Sequence, residues 1–111
     1  MRTSRQARIV LVTCGTLKES RRIARKVVEK RLAACVNIVL GPVESIYTWK
    51  GKLEHTREHL LVIKTTANRL GNLEKEIKHL HSYAVPELLV VQVIAGSKKY
   101  LSWLSESVAG V

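Results

Sequence analysis

Hydrophobic and polar positions along the chain form two kinds of pattern in turn. Continuous apolar runs are typical of strands that are covered on both faces. Apolar positions spaced by three and four residues indicate amphipathic helices. The strand patterns fall at residues 8–14, 33–40, 45–49, 59–65 and 88–95, and the helical patterns at 16–32, 68–80 and 97–108.

Local signals mark where several of these elements begin or turn. Thr16 and Glu19 match a capping box, in which the threonine side chain accepts a hydrogen bond from the Glu19 amide and the glutamate reaches back. Lys50-Gly51 lies between two strand patterns and predicts a hairpin turn. Ser97 is a suitable N-cap for the last helix.

The predicted order is βαββαβ followed by a short C-terminal helix. This order is typical of an α+β, ferredoxin-like sandwich, in which both helices cover the same face of one sheet. The strands are apolar on both faces, so we expect a partner subunit to cover the other face. The long strands predicted at Ala34–Lys50 and Lys52–Thr65 also extend further than one small domain requires.

Length and cysteine content restrict the class of protein. The 111 residues fit one domain, 1–111, with residues 1–7 as a basic N-terminal tail. The longest apolar runs are shorter than the ~20 residues of a membrane span, so we expect no membrane association. Cys14 and Cys35 are too few for a disulfide framework. We therefore expect a cytoplasmic protein with free thiols.

A net charge of +10 and a pI of about 10.1 set the chain apart from an average domain. Basic residues are dense in the first third of the sequence. This density indicates a helix face exposed to solvent. The alternative is a basic surface that attracts nucleic acid. Any such binding is expected to be weak, non-specific and lost near physiological salt.

Five blocks of sequence carry a resemblance to a known family. They are Arg31–Ile38, Ser45–Leu53, Leu61–Thr65, His81–Leu88, and Gly96 with Tyr100–Trp103. In this order they resemble the CutA family of divalent-cation tolerance proteins, and the match runs from about Arg8 to Glu106, nearly the whole chain. The resemblance implies a tight homotrimer of ferredoxin-like protomers, similar in shape to PII signalling proteins. It also implies a cytoplasmic location, a link to copper and other divalent cations, and no established catalysis.

The resemblance is incomplete where metal binding is concerned. In bacterial relatives copper binding is attributed to a cysteine in the first strand and to two adjacent histidines. Here Val12 and Leu80 occupy two of those positions, and only His81 remains. Thiolate and imidazole suit copper and zinc. Of the candidate ligands, His81 and Cys35 are the ones proposed, and the alternative for Cys35 is a small buried apolar side chain. The full set of candidates is Cys14, Cys35, His55, His59, His79 and His81. We expect weak binding of copper or another divalent cation, with His81 the most important residue.

The resemblance also implies a cleft between subunits. A lysine, a carboxylate and aromatic walls could hold a small anionic or zwitterionic ligand there. The alternative is that the tryptophan and tyrosine side chains simply pack at the subunit interface. The residues at matching motif positions are Tyr47, Trp49, Lys64, Tyr83, Glu87 and Trp103.

Two other functional classes share the βαββαβ order. An RNA-recognition domain needs stacking aromatic residues on its third strand, whereas Glu58 to Thr65 carries none and the chain contains no phenylalanine. A basic nucleic-acid-associating module therefore remains the alternative to the CutA-like function. An acylphosphatase-type enzyme needs a glycine-rich phosphate loop after the first strand, but the segment Cys14–Lys18 contains a single glycine, Gly15. We predict that the protein is not an enzyme.

Overall fold

Strands and helices are mixed along residues 1–109, the part of the chain that the computed structural model describes. The predicted α+β class is confirmed. The elements are β1 (Arg2–Thr3), β2 (Ala7–Cys14), α1 (Leu17–Glu29), β3 (Cys35–Ile38), β4 (Val43–Trp49), β5 (Lys52–Thr66), a 3₁₀ turn (Ala67–Arg69), α2 (Leu70–Leu80), β6 (Leu89–Gln92), β7 (Ala95–Gly96) and α3 (Lys98–Val108).

Helix α1 begins as predicted but ends earlier. The Thr16 hydroxyl accepts a hydrogen bond from the Glu19 amide at 3.1 Å. At the other end Arg31 adopts a left-handed backbone, with φ of 56°. The amides of Arg31 and Leu32 donate to the carbonyls of Val28 and Val27. This pair of hydrogen bonds is a Schellman motif, which closes the helix before the predicted end at Leu32.

The main sheet is antiparallel, with strand order β3-β5-β2-β6. Strand β5 is long enough to pair twice. Its second half joins β2 and β3, and its first half forms a hairpin with β4. The predicted turn at Lys50-Gly51 is confirmed, since both residues have positive φ, at 52° and 79°.

The core lies between the sheet and helices α1 and α2. Val10 pairs with Ile63 and Val12 with Leu61, and all four side chains are buried in one cluster. The helices contribute fully or almost fully buried side chains to the same cluster, namely Ile23, Val27, Leu73 and Ile77.

The other face of the sheet is apolar and largely open. Because side chains alternate along a strand, the neighbours of the buried residues point away from the helices. Strand β6 lies at the sheet edge, where Leu89 and Val91 are 58% and 45% exposed. In the single chain this side of β6 is uncovered, and its coverage by a partner subunit stays a prediction. Within residues 1–109, α1 and α2 cover only the face that holds Val10.

The first residues do more than form a basic tail. Arg2 and Thr3 pair with Gly96 and Ala95 in a small two-stranded sheet. Ala7 already begins strand β2. The expected tail of residues 1–7 is thus part of the folded domain, because its backbone hydrogen-bonds to the segment before α3. Within residues 1–109, no helix has the length and apolar character that a membrane crossing requires.

Candidate functional site

His81 is held inside the protein at the end of α2. Its side chain is completely buried. The Nε2 atom lies 2.8 Å from the Thr13 carbonyl oxygen, and Nδ1 accepts a hydrogen bond from the Tyr83 amide at 3.1 Å. These partners assign the proton to Nε2 and a lone pair to Nδ1. His81 therefore connects strand β2 to the segment that leaves α2.

Two further potential metal ligands lie beside this histidine. The Cys14 sulfur, a Glu19 carboxylate oxygen and a His81 ring nitrogen all lie within 4.8 Å of one another. Glu19 Oε1 is 3.5 Å from His81 Nδ1, and this buried oxygen has no hydrogen-bond partner among residues 1–109. The local fold explains the grouping, because Cys14 ends β2 and Glu19 lies in the first turn of α1.

The chemistry of these three groups suits a cation. Sulfur, imidazole and carboxylate are ligands of copper and zinc. Burial raises the pKa of the Cys14 thiol to about 11; a hydrogen bond with Ser20 opposes this rise, and the charges of Glu19 and Glu58 add smaller increases. The thiol is therefore protonated at neutral pH, and a cation has to displace its proton. Glu19 Oε1 is the group that gains most from a nearby positive charge, because it is buried without a donor.

Cys35 does not join His81, which corrects the proposed ligand pair. Cys35 is in register with Lys64, whereas Cys14 is in register with His59. Five residues along β5 separate these two rows, a distance of about 17 Å. The neighbouring Val36 packs on the core, so Cys35 faces the opposite, open side of the sheet. Sequence spacing missed the grouping of Cys14 with His81, because 67 positions separate the two residues.

A cleft of about 780 Å³ lies on the other side of Tyr83. Strand β4 and Glu58 of β5 line one side of the cleft, and the segment 83–87 lines the other. Four of the residues predicted for a ligand cleft meet here, and two unpredicted carboxylates join them. The aromatic and acidic lining residues are Tyr47, Trp49, Tyr83, Glu44, Glu58 and Glu87.

Within the single chain, Lys64 and Trp103 lie in a different group from the other four residues predicted for the cleft between subunits. Lys64 Nζ lies 5.7 Å from the centre of the Tyr100 ring, and the rings of Tyr100 and Trp103 are 5.4 Å apart. Six residues of strand separate Lys64 from Glu58, which is about 20 Å. Within residues 1–109 of the single chain, the charged residues that line this cleft are glutamates, and a lysine contributed by another subunit stays a prediction.

Burial dominates the electrostatics of the cleft. Glu58 is only 5% exposed. Burial, and next a hydrogen bond to Glu58, raises the pKa of Tyr83 to about 12. Burial and the charge of Glu58 also raise the pKa of Glu87. Glu58 was not singled out in the sequence, because its burial depends on the segment 83–87 lying over β5.

The basic residues in and next to α1 fall into two sets. Lys18, Arg21 and Arg25 are exposed on the outer side of the helix. Arg22 donates to the Leu80 carbonyl at 2.6 Å, and Lys30 pairs with Glu76 at 2.8 Å. Part of the basic stripe thus ties α1 to α2, and the rest is the solvated face that the sequence favoured.

These features describe an α+β protein with a thiol–imidazole–carboxylate group and an acidic aromatic cleft. The family model described as "CutA1 divalent ion tolerance protein" matches residues 8–107. The chain therefore belongs to the CutA1 family. The "Divalent-cation tolerance protein CutA" of Thermus thermophilus is 43% identical over 99 residues, covering 89% of this chain and 95% of the relative. Human "Protein CutA" is 43% identical over 95 residues, covering 86% of this chain and 52% of the relative.

Solved structures agree with this assignment. The Thermus thermophilus divalent cation tolerance protein superimposes with a TM-score of 0.88 at 42% identity, covering 91% of this chain and 97% of that chain. CutA from Synechococcus elongatus PCC7942 gives a TM-score of 0.92 at 36% identity, covering 97% of this chain and 95% of that chain. Relatives carry different compartments in their names, chloroplastic in Arabidopsis thaliana and periplasmic in Archaeoglobus fulgidus.

Proposed function

We propose that the protein takes part in the response to divalent cations by binding copper, or a similar thiophilic cation, at Cys14, Glu19 and His81. The observation that carries this proposal is the unpaired Glu19 oxygen beside a thiol and an imidazole. A family described by divalent-ion tolerance adds support. Bound there, the cation would supply positive charge to the buried carboxylate.

The hydrogen bonds that His81 already makes weaken the expected copper binding. His81 Nδ1 already accepts from the Tyr83 amide, and Nε2 already donates to Thr13. A cation therefore competes with one of these hydrogen bonds and with the Cys14 proton. This competition supports the expectation of weak copper binding, with His81 the central residue.

The assembly that we propose is a homotrimer of ferredoxin-like protomers, with a cytoplasmic location suggested by the two free thiols. The antiparallel order β3-β5-β2-β6, with two helices on one face, supports the ferredoxin-like arrangement. The exposed apolar side chains of β6 support burial against other subunits. In that assembly the cleft beside Tyr83 would lie near a subunit boundary. The role is binding rather than catalysis, since the family description names tolerance and no reaction.

Copper titration by calorimetry, on protein purified without an affinity tag, tests the metal proposal. We expect Cys14→Ser, Glu19→Gln and His81→Gln each to weaken binding by about tenfold or more, an effect on the order of a lost supporting group at a metal site. Cys35→Ser is the matched control and should bind like the unmodified protein. Loss of binding in Cys35→Ser, or full binding in Cys14→Ser, would place the site elsewhere.

A further inference from the structure

Basic side chains of α1 form a continuous face on the outside of the protein. The buried side chains of this helix, such as Ile23 and Val27, belong to the core beneath it. Lys18, Arg21 and Arg25 follow one another at steps of three and four residues, and all three are exposed. This spacing places side chains on one side of a helix. Lys18, Arg21 and Arg25 therefore make up the basic face of α1.

The positive charge of the basic face is not paired within residues 1–109. Helix α1 holds five lysines and arginines but only two glutamates. Of these two, Glu19 points to the buried His81. Among the described residues, no carboxylate oxygen lies within 4 Å of a charged nitrogen of the basic face. Soluble surfaces usually mix both signs of charge, so this row of one sign indicates attraction of an anion.

The basic face stays accessible in the assembly that we propose. Helices α1 and α2 cover the side of the sheet that holds Val10. The exposed apolar side chains proposed for subunit contacts, such as Leu89, lie on the opposite side. The trimer would therefore present three basic faces, one on each protomer. The net charge of +10 on each chain adds long-range attraction for a polyanion.

The side chains of α1 also restrict which polyanion fits. A helix that binds a membrane surface inserts large apolar side chains into the lipid. The exposed large apolar side chain of α1 is Val28, at 40% exposure. Single-stranded nucleic acid is held largely by bases that stack on aromatic side chains, and α1 contains no aromatic residue. The phosphate backbone of a duplex needs neither feature, because lysine and arginine neutralise it directly.

The spacing of the basic face matches a regular row of phosphates. Its members lie about one turn apart, or about 5.4 Å along the helix, and Lys18 and Arg25 are about 10.5 Å apart. Long, flexible side chains let each cation meet its own phosphate. Helix α1 also lacks asparagine and glutamine, the side chains that pair with adenine.

We propose that the basic face of α1 binds the phosphate backbone of double-stranded nucleic acid without reading the base sequence. The inference goes beyond the response to divalent cations. It does not rest on the copper proposal, because it uses none of the three residues Cys14, Glu19 and His81.

Fluorescence anisotropy of a labelled DNA duplex of mixed sequence, titrated with the full chain at several salt concentrations, tests the proposal. Three phosphate contacts predict a slope of about −2.7 in log K against log salt, a loss of about fortyfold between about 50 and 200 mM salt. Lys18→Ala, Arg21→Ala and Arg25→Ala should each weaken binding equally on two unrelated sequences and reduce the slope by about 1. Alanine is a strong helix former, so these exposed variants should keep the fold.

Lys52→Ala and Arg57→Ala are the matched controls, because they remove the same charges from exposed positions of strand β5. Both should leave the slope unchanged. An equal reduction in these controls would show that binding follows net charge alone and would overturn the proposal. Three other results would also overturn it: no duplex binding at low salt, unchanged slopes in the α1 variants, or tighter binding of phosphatidylserine vesicles through the same residues. Arg25→Ala should bind copper like the unmodified protein, so its loss of duplex binding bears on this proposal alone.

Discussion

Replacing His81 with alanine should destabilise the protein even when no metal is bound. The imidazole makes two hydrogen bonds inside the protein, to the Thr13 carbonyl at 2.8 Å and from the Tyr83 amide at 3.1 Å. An unsatisfied buried partner costs about 1–3 kcal/mol. The Tyr83 amide is part-buried and can regain some hydration, so we expect a total loss of about 2–4 kcal/mol in the free energy of unfolding.

Denaturant unfolding in the presence of a chelator measures this loss directly. Because assembly makes stability depend on protein concentration, the unmodified protein and each variant should be compared at several equal concentrations. His79→Ala is the matched control. His79 is exposed two residues earlier on the same helix, so its removal should change stability by less than about 0.5 kcal/mol.

The outcome separates a structural from a metal-binding role for His81. A loss of 2–4 kcal/mol in chelator shows that the hydrogen bonds hold β2 and the 83–87 segment together without metal. A loss below about 0.5 kcal/mol in chelator would refute the reasoning from these two contacts. If His81→Ala is less stable than the unmodified protein only after copper is added, the stabilising role of His81 would be metal binding instead.

Two further predictions concern the assembly and the cleft. Light scattering coupled to gel filtration should give a molar mass of about three times 12.5 kDa. Leu89→Lys, on the open face of the sheet, should lower that mass. A monomeric unmodified protein would contradict the proposed trimer. Carboxyl NMR should show Glu87 titrating above its ordinary value of 4.5, and Glu58→Gln should lower that midpoint by removing a negative neighbour. The pKa of Glu87 is higher in the folded state than its ordinary value of 4.5. Ionisation of Glu87 should therefore lower the free energy of unfolding as pH rises from 4.5 through its folded midpoint. An unchanged midpoint in Glu58→Gln would contradict the coupling.

The sequence determined the elements because its signals are local. The Thr16 cap, the Lys50-Gly51 turn and the Ser97 cap each depend on a few neighbouring residues, and all three are present in the structure. The apolar periods identified both helices that cover the sheet. The end of α1 was missed, because Arg31 takes a left-handed conformation that usually favours glycine.

Only the tertiary structure decided which distant residues meet. Alternation along β3 put Cys35 on the open face, away from His81, and six residues of strand β5 separate Lys64 from Glu58. The same register brought Cys14 to the strand end beside Glu19, and placed Glu58 beneath the 83–87 segment. A side-chain type states what chemistry is available, whereas strand register and helix packing fix which groups share one volume. That is why the sequence indicated the family and the ligand types, while the fold decided which of the candidate groups lie together in one chain.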